Sequence, residues 1–388
     1  MVESRKIGVY LFLYIMETSL QRHFKWIPDP RTGNNKKHNL TDVIILSVLA
    51  VLCGADSWNE MEEFSKEKEV FLKKLLPLEG GIPSHDTFNR IFMMIDPALF
   101  ERCFRAWTAE LSTSLPGIES ADERDLIAID GKSLCNSVNK QDGLGALHMV
   151  SAWSGRNQLV LGQQKVADKS NEITAIPELL SLLHIQGAVV TIDAMGTQKE
   201  IARKIVEKKG DYILALKQNQ KELYDQVVNQ FNFKEDNYSQ TLDKGHGRAE
   251  IRTCRVIHNL NYIDEKMHWS NLRSIIKITS ERIIGDKHTK QDRYYISSLQ
   301  DQADYFNQAV RSHWGIENQL HWQLDVGFGE DYNTTRNKRA AQNFSVVRKL
   351  ALNILKADLS SKSTLKAKRK KAGWNNEYLL KLMLNVNF

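Results

Sequence analysis

The sequence predicts a mixed α/β protein with an all-helical N-terminal region and a helical finish. Three observations predict it. Between about residues 17 and 115, apolar residues recur at helical spacing. From about 126 the pattern changes to short runs rich in Val, Ile and Leu, in the order β-β-β-α-β-α-β. Between about 220 and 300 further strand-like runs interrupt that order, before two or three helices close the chain.

The elements follow in chain order. The run 7–16 (IGVYLFLYIM) follows Arg5 and Lys6 like a short signal core, but no small-residue cleavage site comes after it. It is also too short to cross a bilayer, which takes roughly 20 apolar residues. A soluble, cytoplasmic protein with no membrane partner is expected. Thr41 and Asp42 can cap a helix running from Val43 through Ala50. Met61, Phe64, Val70, Leu72 and Leu75 continue the helical spacing. The 80–84 stretch (GGIPS) is a break, after which Ser84 or Asp86 can cap a helix holding Phe88, Ile91 and Phe92. Another helix should run from Pro97 to about Leu111, and 115–117 (LPG) closes the unit.

Strands are expected at 126–130, 147–153 and 158–166, then a helix over 173–183, a strand at 188–192, a helix over 198–208 and a strand at 212–216. This order suggests antiparallel hairpins followed by right-handed crossovers. A helix over 221–231 leads into strand-like runs at 249–257, 273–280 and 293–299, read as a β-rich insertion or an extended sheet. Helices are expected over about 302–324, 334–356 and 375–384.

The chain has 388 residues, enough for two or three domains, and a 42% hydrophobic fraction allows a sizeable core. Its 53 basic and 47 acidic residues leave a net charge of only +6, so local clusters matter more than the total. Lys362, Lys366, Lys368, Arg369, Lys370 and Lys371 form one; Arg336, Lys338, Arg339, Arg348 and Lys349 precede it. Cys53, Cys103, Cys135 and Cys254 contain no C-x-x-C pair and read as reduced thiols.

Three acids carry the chemistry. Two apolar strand-like runs each end on an aspartate, Asp130 and Asp193, and in an open α/β sheet functional groups collect at the carboxyl ends of strands. Gly131 permits a close backbone approach beside the first. Glu317 lies in a predicted helix on which Trp314, His321 and Asp325 fall within about 80° of it. Three acids from separate elements suit two Mg²⁺ ions about 3.5–4 Å apart, which together activate an attacking oxygen and stabilise a leaving one. A zinc site from His313, Glu317 and His321 is the weaker reading: H-E-x-x-H is absent and both aspartates would lack a task.

Nine stretches carry a family likeness: 81–88 (GIPSHDTF), 128–132 (AIDGK), 148–153 (HMVSAW), 169–177 (KSNEITAIP), 191–196 (TIDAMG), 211–217 (DYILALK), 246–248 (HGR), 293–298 (RYYISS) and 313–331 (HWGIENQLHWQLDVGFGED). Together they resemble the H-repeat-associated proteins, bacterial insertion-sequence transposases with a DDE triad on a ribonuclease-H-like fold. The resemblance covers roughly residues 17–388. It implies a ribonuclease-H-like catalytic core at 119–356 with a β-rich insertion at about 220–300. A helical DNA-binding or accessory region would occupy 17–118, and a basic helix or tail 357–388. Residues 1–16 would be a non-native extension, with Met16 the true start.

The same resemblance makes Asp130, Asp193 and Glu317 the catalytic, metal-holding triad, served by two Mg²⁺ that Mn²⁺ can replace. The partners implied are double-stranded DNA, both terminal inverted repeats and target, and further copies of the chain assembled on it in the nucleoid. Some relatives carry Y-x2-R-x3-E-x6-K around the glutamate; here Val310, His313 and Leu324 occupy those places. The departure leaves the phosphate-clamping roles open, with Arg248, Arg311, His313 and His321 as candidates; the wider set expected to contact DNA adds Lys132, Trp314, Arg336, Lys338 and Arg339. A non-catalytic DNA-binding relative and a structure-specific nuclease are the rival readings.

Overall fold

The computed structural model describes residues 18–33, 36–115, 124–137, 145–167, 170–233, 237–245 and 247–385. The expected extension at 1–16, the turn at 116–117, the 118/119 boundary, Lys169 and His246 lie outside them.

The first helices are α1 (Ser19–Phe24), α2 (Leu40–Leu52), α3 (Trp58–Glu67), α4 (Glu69–Leu72), α5 (His85–Met94) and α6 (Pro97–Ser114). Nearly every residue of α2 is buried, as a helix apolar on all sides must be. Its cap is Asn39, two residues before the expected Thr41: the Asn39 side chain accepts from the backbone N–H of Thr41 (2.8 Å) and Asp42 (3.2 Å). Ser84 caps α5 as expected, accepting from the Thr87 N–H. Asp96 caps α6, with Pro97 as its first residue, where a missing N–H does no harm.

Next come β1 (Leu126–Leu134), β2 (Leu147–Ser154), β3 (Leu159–Lys165), α7 (Glu172–Leu182), β4 (Val189–Ile192), α8 (Lys199–Glu207), β5 (Asp211–Leu216) and α9 (Lys221–Gln230). Four more strands are β6 (Asn237–Gly245), β7 (Arg248–Ile257), β8 (Ser274–Ile284) and β9 (Lys287–Ser297). All nine form one sheet in the order β3-β2-β1-β4-β5-β9-β8-β7-β6. β4 lies parallel to both β1 and β5, through crossovers that α7 and α8 supply. The stretch at 220–300 therefore extends the sheet: β9 pairs antiparallel with β5, Leu214 opposite Ile296.

α10 (Ala303–His313) covers one face of the sheet through Phe306, Ala309 and Val310. The expected helix over 302–324 is not regular. After His313 its turns widen to i→i+5 bonding over Ile316–His321 and Gln323–Gly327. The apolar stripe explains this. Ile316, Leu320, Leu324 and Phe328 are spaced by four and all buried. In a 3.6-residue helix such a stripe drifts about 40° per step; wider turns keep it facing the core.

The chain ends in α11 (Lys338–Ala357), α12 (Leu365–Trp374) and α13 (Asn376–Asn385). These helices pack with α1–α6 and with the Ile316–Phe328 stripe in a single apolar core. A second core lies between the sheet and α7, α8 and α9. No helix among the described residues is long and apolar enough to cross a membrane.

The basic clusters divide. Lys368 is buried and donates to the carbonyls of Leu355 (3.0 Å) and Asp358 (2.6 Å). Arg369 is buried, donating to Val51 O (3.0 Å), Gly327 O and the Asp56 carboxylate (2.7 Å). Arg348 lies 3.8 Å over the Phe344 ring, and Lys349 donates to Gln163 and Ser345. These four belong to the interior and form no part of an exposed basic surface. Lys362, Lys366, Lys370 and Lys371 stay exposed.

Candidate functional site

The parallel register of β1 and β4 places Ile129 opposite Ile192. Asp193 is the residue just past β4, and Asp130 stands beside it midway along β1, which runs on to Leu134 and so does not end on Asp130 as the sequence suggests; the spacing of neighbouring strands is about 4.8 Å. Asp130 accepts from the Gly131 N–H (2.9 Å), and Asp193 from the Gly196 N–H (3.1 Å). Glu317 arrives on the wide-turned segment. It lines, with Asp193, His313, Trp314, Lys217 and Arg293, a cavity of about 340 Å³.

Asp130 is not among the residues that line this cavity. The His321 Nδ1 is 3.5 Å from its Oδ2. Burial pushes the His321 pKa down to about 4, so the imidazole is neutral at pH 7. Burial, with the charges of Glu172, Asp193 and Glu317, pushes the Asp130 carboxyl up to about 7. The three predicted acids therefore act on one another.

Their oxygen donors are of the kind that hard divalent cations take, and the mutual repulsion at Asp130 is what a cation relieves. The donor chemistry fits Mg²⁺ or Mn²⁺. Among the described residues, no three His, Cys, Asp or Glu side chains are drawn closely enough around one point to hold an ion. A cation would have to bring these carboxylates closer together.

His313 is half-buried, its ring 2.9 Å from the Thr191 hydroxyl, and desolvation lowers its pKa. Trp314 is 38% exposed, with the Arg293 guanidinium 5.2 Å from its ring centre. Arg311 pairs with Asp243 of β6. Lys132 is enclosed by Asp325, Asp331 and Glu330. Arg248 begins β7, and Arg336, Lys338 and Arg339 stand at the start of α11; none of the four lines the cavity.

Sequence reasoning missed three neighbours of the site. Glu172, at the first turn of α7, is a fourth carboxylate near Asp130; its Oε1 is 2.7 Å from His148 Nε2, and His148 Nδ1 is 2.8 Å from the Ser133 hydroxyl. A Cβ on Gly131 would stand 2.0 Å from Glu172 Oε1, so the close approach expected at this glycine is made by a side chain. Lys217, just past β5, and Arg293, on β9, are the cavity's cations. The strand-end rule that selects Asp130 and Asp193 also selects Lys217; nothing local marks the other two.

Two family models match the chain: "DDE_Tnp_1-associated" over residues 21–108 and "Transposase DDE domain" over residues 121–354. The "H repeat-associated putative transposase YhhI" of Escherichia coli K12 is 41% identical over 377 residues, covering 94% of this chain and 97% of its own. The "Putative transposase YncI" of Escherichia coli O157:H7 is 41% identical over 380 residues, covering 95% of each chain. A solved piggyBac transposase synaptic complex with hairpin DNA aligns with 95% of this chain and 76% of its own. Its TM-score of 0.36 and 11% identity are too low to carry an argument.

Proposed function

The chain belongs to the transposase DDE-domain family, and from that premise we propose that it cuts the ends of an insertion element and joins the freed 3′-hydroxyls to target DNA. The observation that carries the proposal is the parallel register of β1 and β4, which sets Asp130 beside Asp193, with Glu317 on the same cavity as Asp193 and its charge felt at Asp130. The order β3-β2-β1-β4-β5, antiparallel between its first three strands and parallel across the rest, supports a ribonuclease-H-like core.

Asp130, Asp193 and Glu317 would hold the divalent cations, Mg²⁺ or in its place Mn²⁺. Bound there, two such ions would lower the pKa of the attacking water or 3′-hydroxyl and stabilise the leaving oxygen. The chain's own residues do the rest. Backbone N–H groups of Gly131 and Gly196 fix one oxygen of each aspartate. Neutral His321 covers Asp130 without competing as a charge. Lys217 and Arg293 border the acids and offer cations to the scissile phosphate. The substrates are double-stranded terminal repeats and target DNA, handled by a multimer in the nucleoid, because both ends must be processed together.

The test uses a labelled duplex bearing the genomic DNA from each side of the gene. Asp130→Asn, Asp193→Asn and Glu317→Gln should each lower Mg²⁺-dependent nicking by at least 10³-fold (about 4 kcal/mol) while duplex binding persists. A variant that still nicks leaves the triad. Wild-type protein that binds the duplex and never cuts it is a DNA-binding relative; one that cuts unrelated junctions equally well is a nuclease.

A further inference from the structure

We propose that Lys132 is a positioning residue: it fastens the Glu317-bearing segment to the strand carrying Asp130, and so sets Glu317 against the two aspartates. The proposal rests on the reading of those three acids as the reactive site.

The strand and the segment have matching periods. On β1, Asp130 and Lys132 are two residues apart and share a face, a step of about 6.7 Å. On the wide-turned segment, residues four apart return to the same side in about one turn. His321 and Asp325, four apart, can therefore meet Asp130 and Lys132 in turn. They do so: His321 Nδ1 lies 3.5 Å from Asp130 Oδ2, and Asp325 Oδ1 lies 2.7 Å from Lys132 Nζ. Two contacts along one stripe fix both the slide and the rotation of the segment. Glu317 is one step further back on that stripe, and there it shares the cavity with Asp193.

Lys132 also holds the next turn of the chain. Its ammonium lies 3.1 Å from Asp331 and 3.4 Å from Glu330, just past the turn that Gly329 makes at φ +58°. The ammonium donates a hydrogen bond to Asp331 and pairs by charge with Asp325 and Glu330. The Lys132 side chain is 13% exposed, so little of this charge faces a phosphate. Flanking the stripe, Ile316, Leu320 and Leu324 share a core with Ala128 and Trp153. Apolar packing thus presses the segment onto the sheet, and the lysine chooses its register.

The experiment combines Lys132→Met, Asp325→Asn and the double variant with Glu317→Gln as reference, all as full-length protein with the same flanking duplex. Expected for each single variant is a fall of about 10²-fold in the single-turnover cleavage rate at saturating duplex, the scale of a 1 Å misplacement. The duplex Kd should stay within about twofold. The double variant should be no worse than Lys132→Met alone, because the lysine variant already removes the Asp325 contact. Amides of 314–327 should exchange at least about tenfold faster, while those of 40–52 stay unchanged. Should Lys132→Met not fold, Asp325→Asn carries the test alone.

Native cleavage rates in both single variants, with Glu317→Gln inert, overturn the positioning role and leave the site reading intact. A weaker Kd, a salt slope reduced by about one and an unchanged rate would make Lys132 a phosphate contact instead. Native cleavage by Glu317→Gln removes the site reading and this proposal with it.

Discussion

Asp130 is the residue on which the site's electrostatics concentrate. Burial and three neighbouring carboxylates hold its pKa at about 7 in the folded chain, against 3.8 for the ordinary side chain. A carboxyl whose folded pKa is raised binds protons more tightly in the native state. Its stabilising contribution is whole below pH 4 and is lost as pH rises toward 7. Asp130→Asn removes that penalty. In metal-free buffer the variant should therefore melt higher than wild type at pH 8 and equally at pH 4. The ceiling is about 4 kcal/mol, a tenfold change in proton affinity being worth about 1.4 kcal/mol. A thermal melt at the two pH values checks this; a difference that is the same at both contradicts it. Mg²⁺ should narrow the gap at pH 8, since only wild type keeps the full carboxylate set. Asp130, Asp193 and Glu317 stand out in the sequence because apolar runs end on the two aspartates and a polar helical stripe carries the glutamate, although β1 continues past Asp130. Glu172 was not: an acid in the first turn of a helix reads as dipole compensation, and its approach to Gly131 is set by tertiary packing.

At the scale of elements, a spacing of four residues explains the segment that brings in Glu317. The sequence predicts a regular helix there, and the sustained stripe of Ile316, Leu320, Leu324 and Phe328 turns it into wider coils. α12 shows how composition misleads. Its run of basic residues suggests a solvated or DNA-facing helix, yet Lys368 and Arg369 turn inward. Arg369 ties Val51, Asp56 and Gly327 together and lies 4.4 Å over the Phe328 ring. Arg369→Met should accordingly lower stability by about 3 kcal/mol, because it leaves buried acceptors unpaired. It should leave the salt slope of duplex binding unchanged, whereas removing a phosphate-binding cation would reduce that slope by about one. Denaturant melts and binding across a salt series measure both. β6 escaped the sequence reading for a plainer reason: its polar, exposed residues give no apolar run to recognise.

Over the whole molecule, the two ends of the chain close one core. α11 packs against α2, α5, α6 and β3, and its polar side chains complete the backbones it meets. Asn353 both accepts from the Val160 N–H and donates to the Val160 carbonyl, at 2.9 Å each, along edge strand β3. Asn343 donates to the carbonyls of Phe92 and Ile95 at the end of α5. The N-terminal helices therefore have no core of their own; they buttress the Glu317 segment through a shared one. The order of strands and crossovers was legible from apolar runs. This union was not, because nothing local says that the first helices and the last meet.

Three elements of that assembly carry the carboxylates of the proposed site, and a metal ion reports on them most directly. Crystals of the full chain grown or soaked with Mn²⁺ should give an anomalous peak among Asp130, Asp193 and Glu317, with all three carboxylates drawn into coordination. A peak elsewhere, or Mn²⁺-saturated crystals with Glu317 still apart from the two aspartates and no ion between them, contradicts the account.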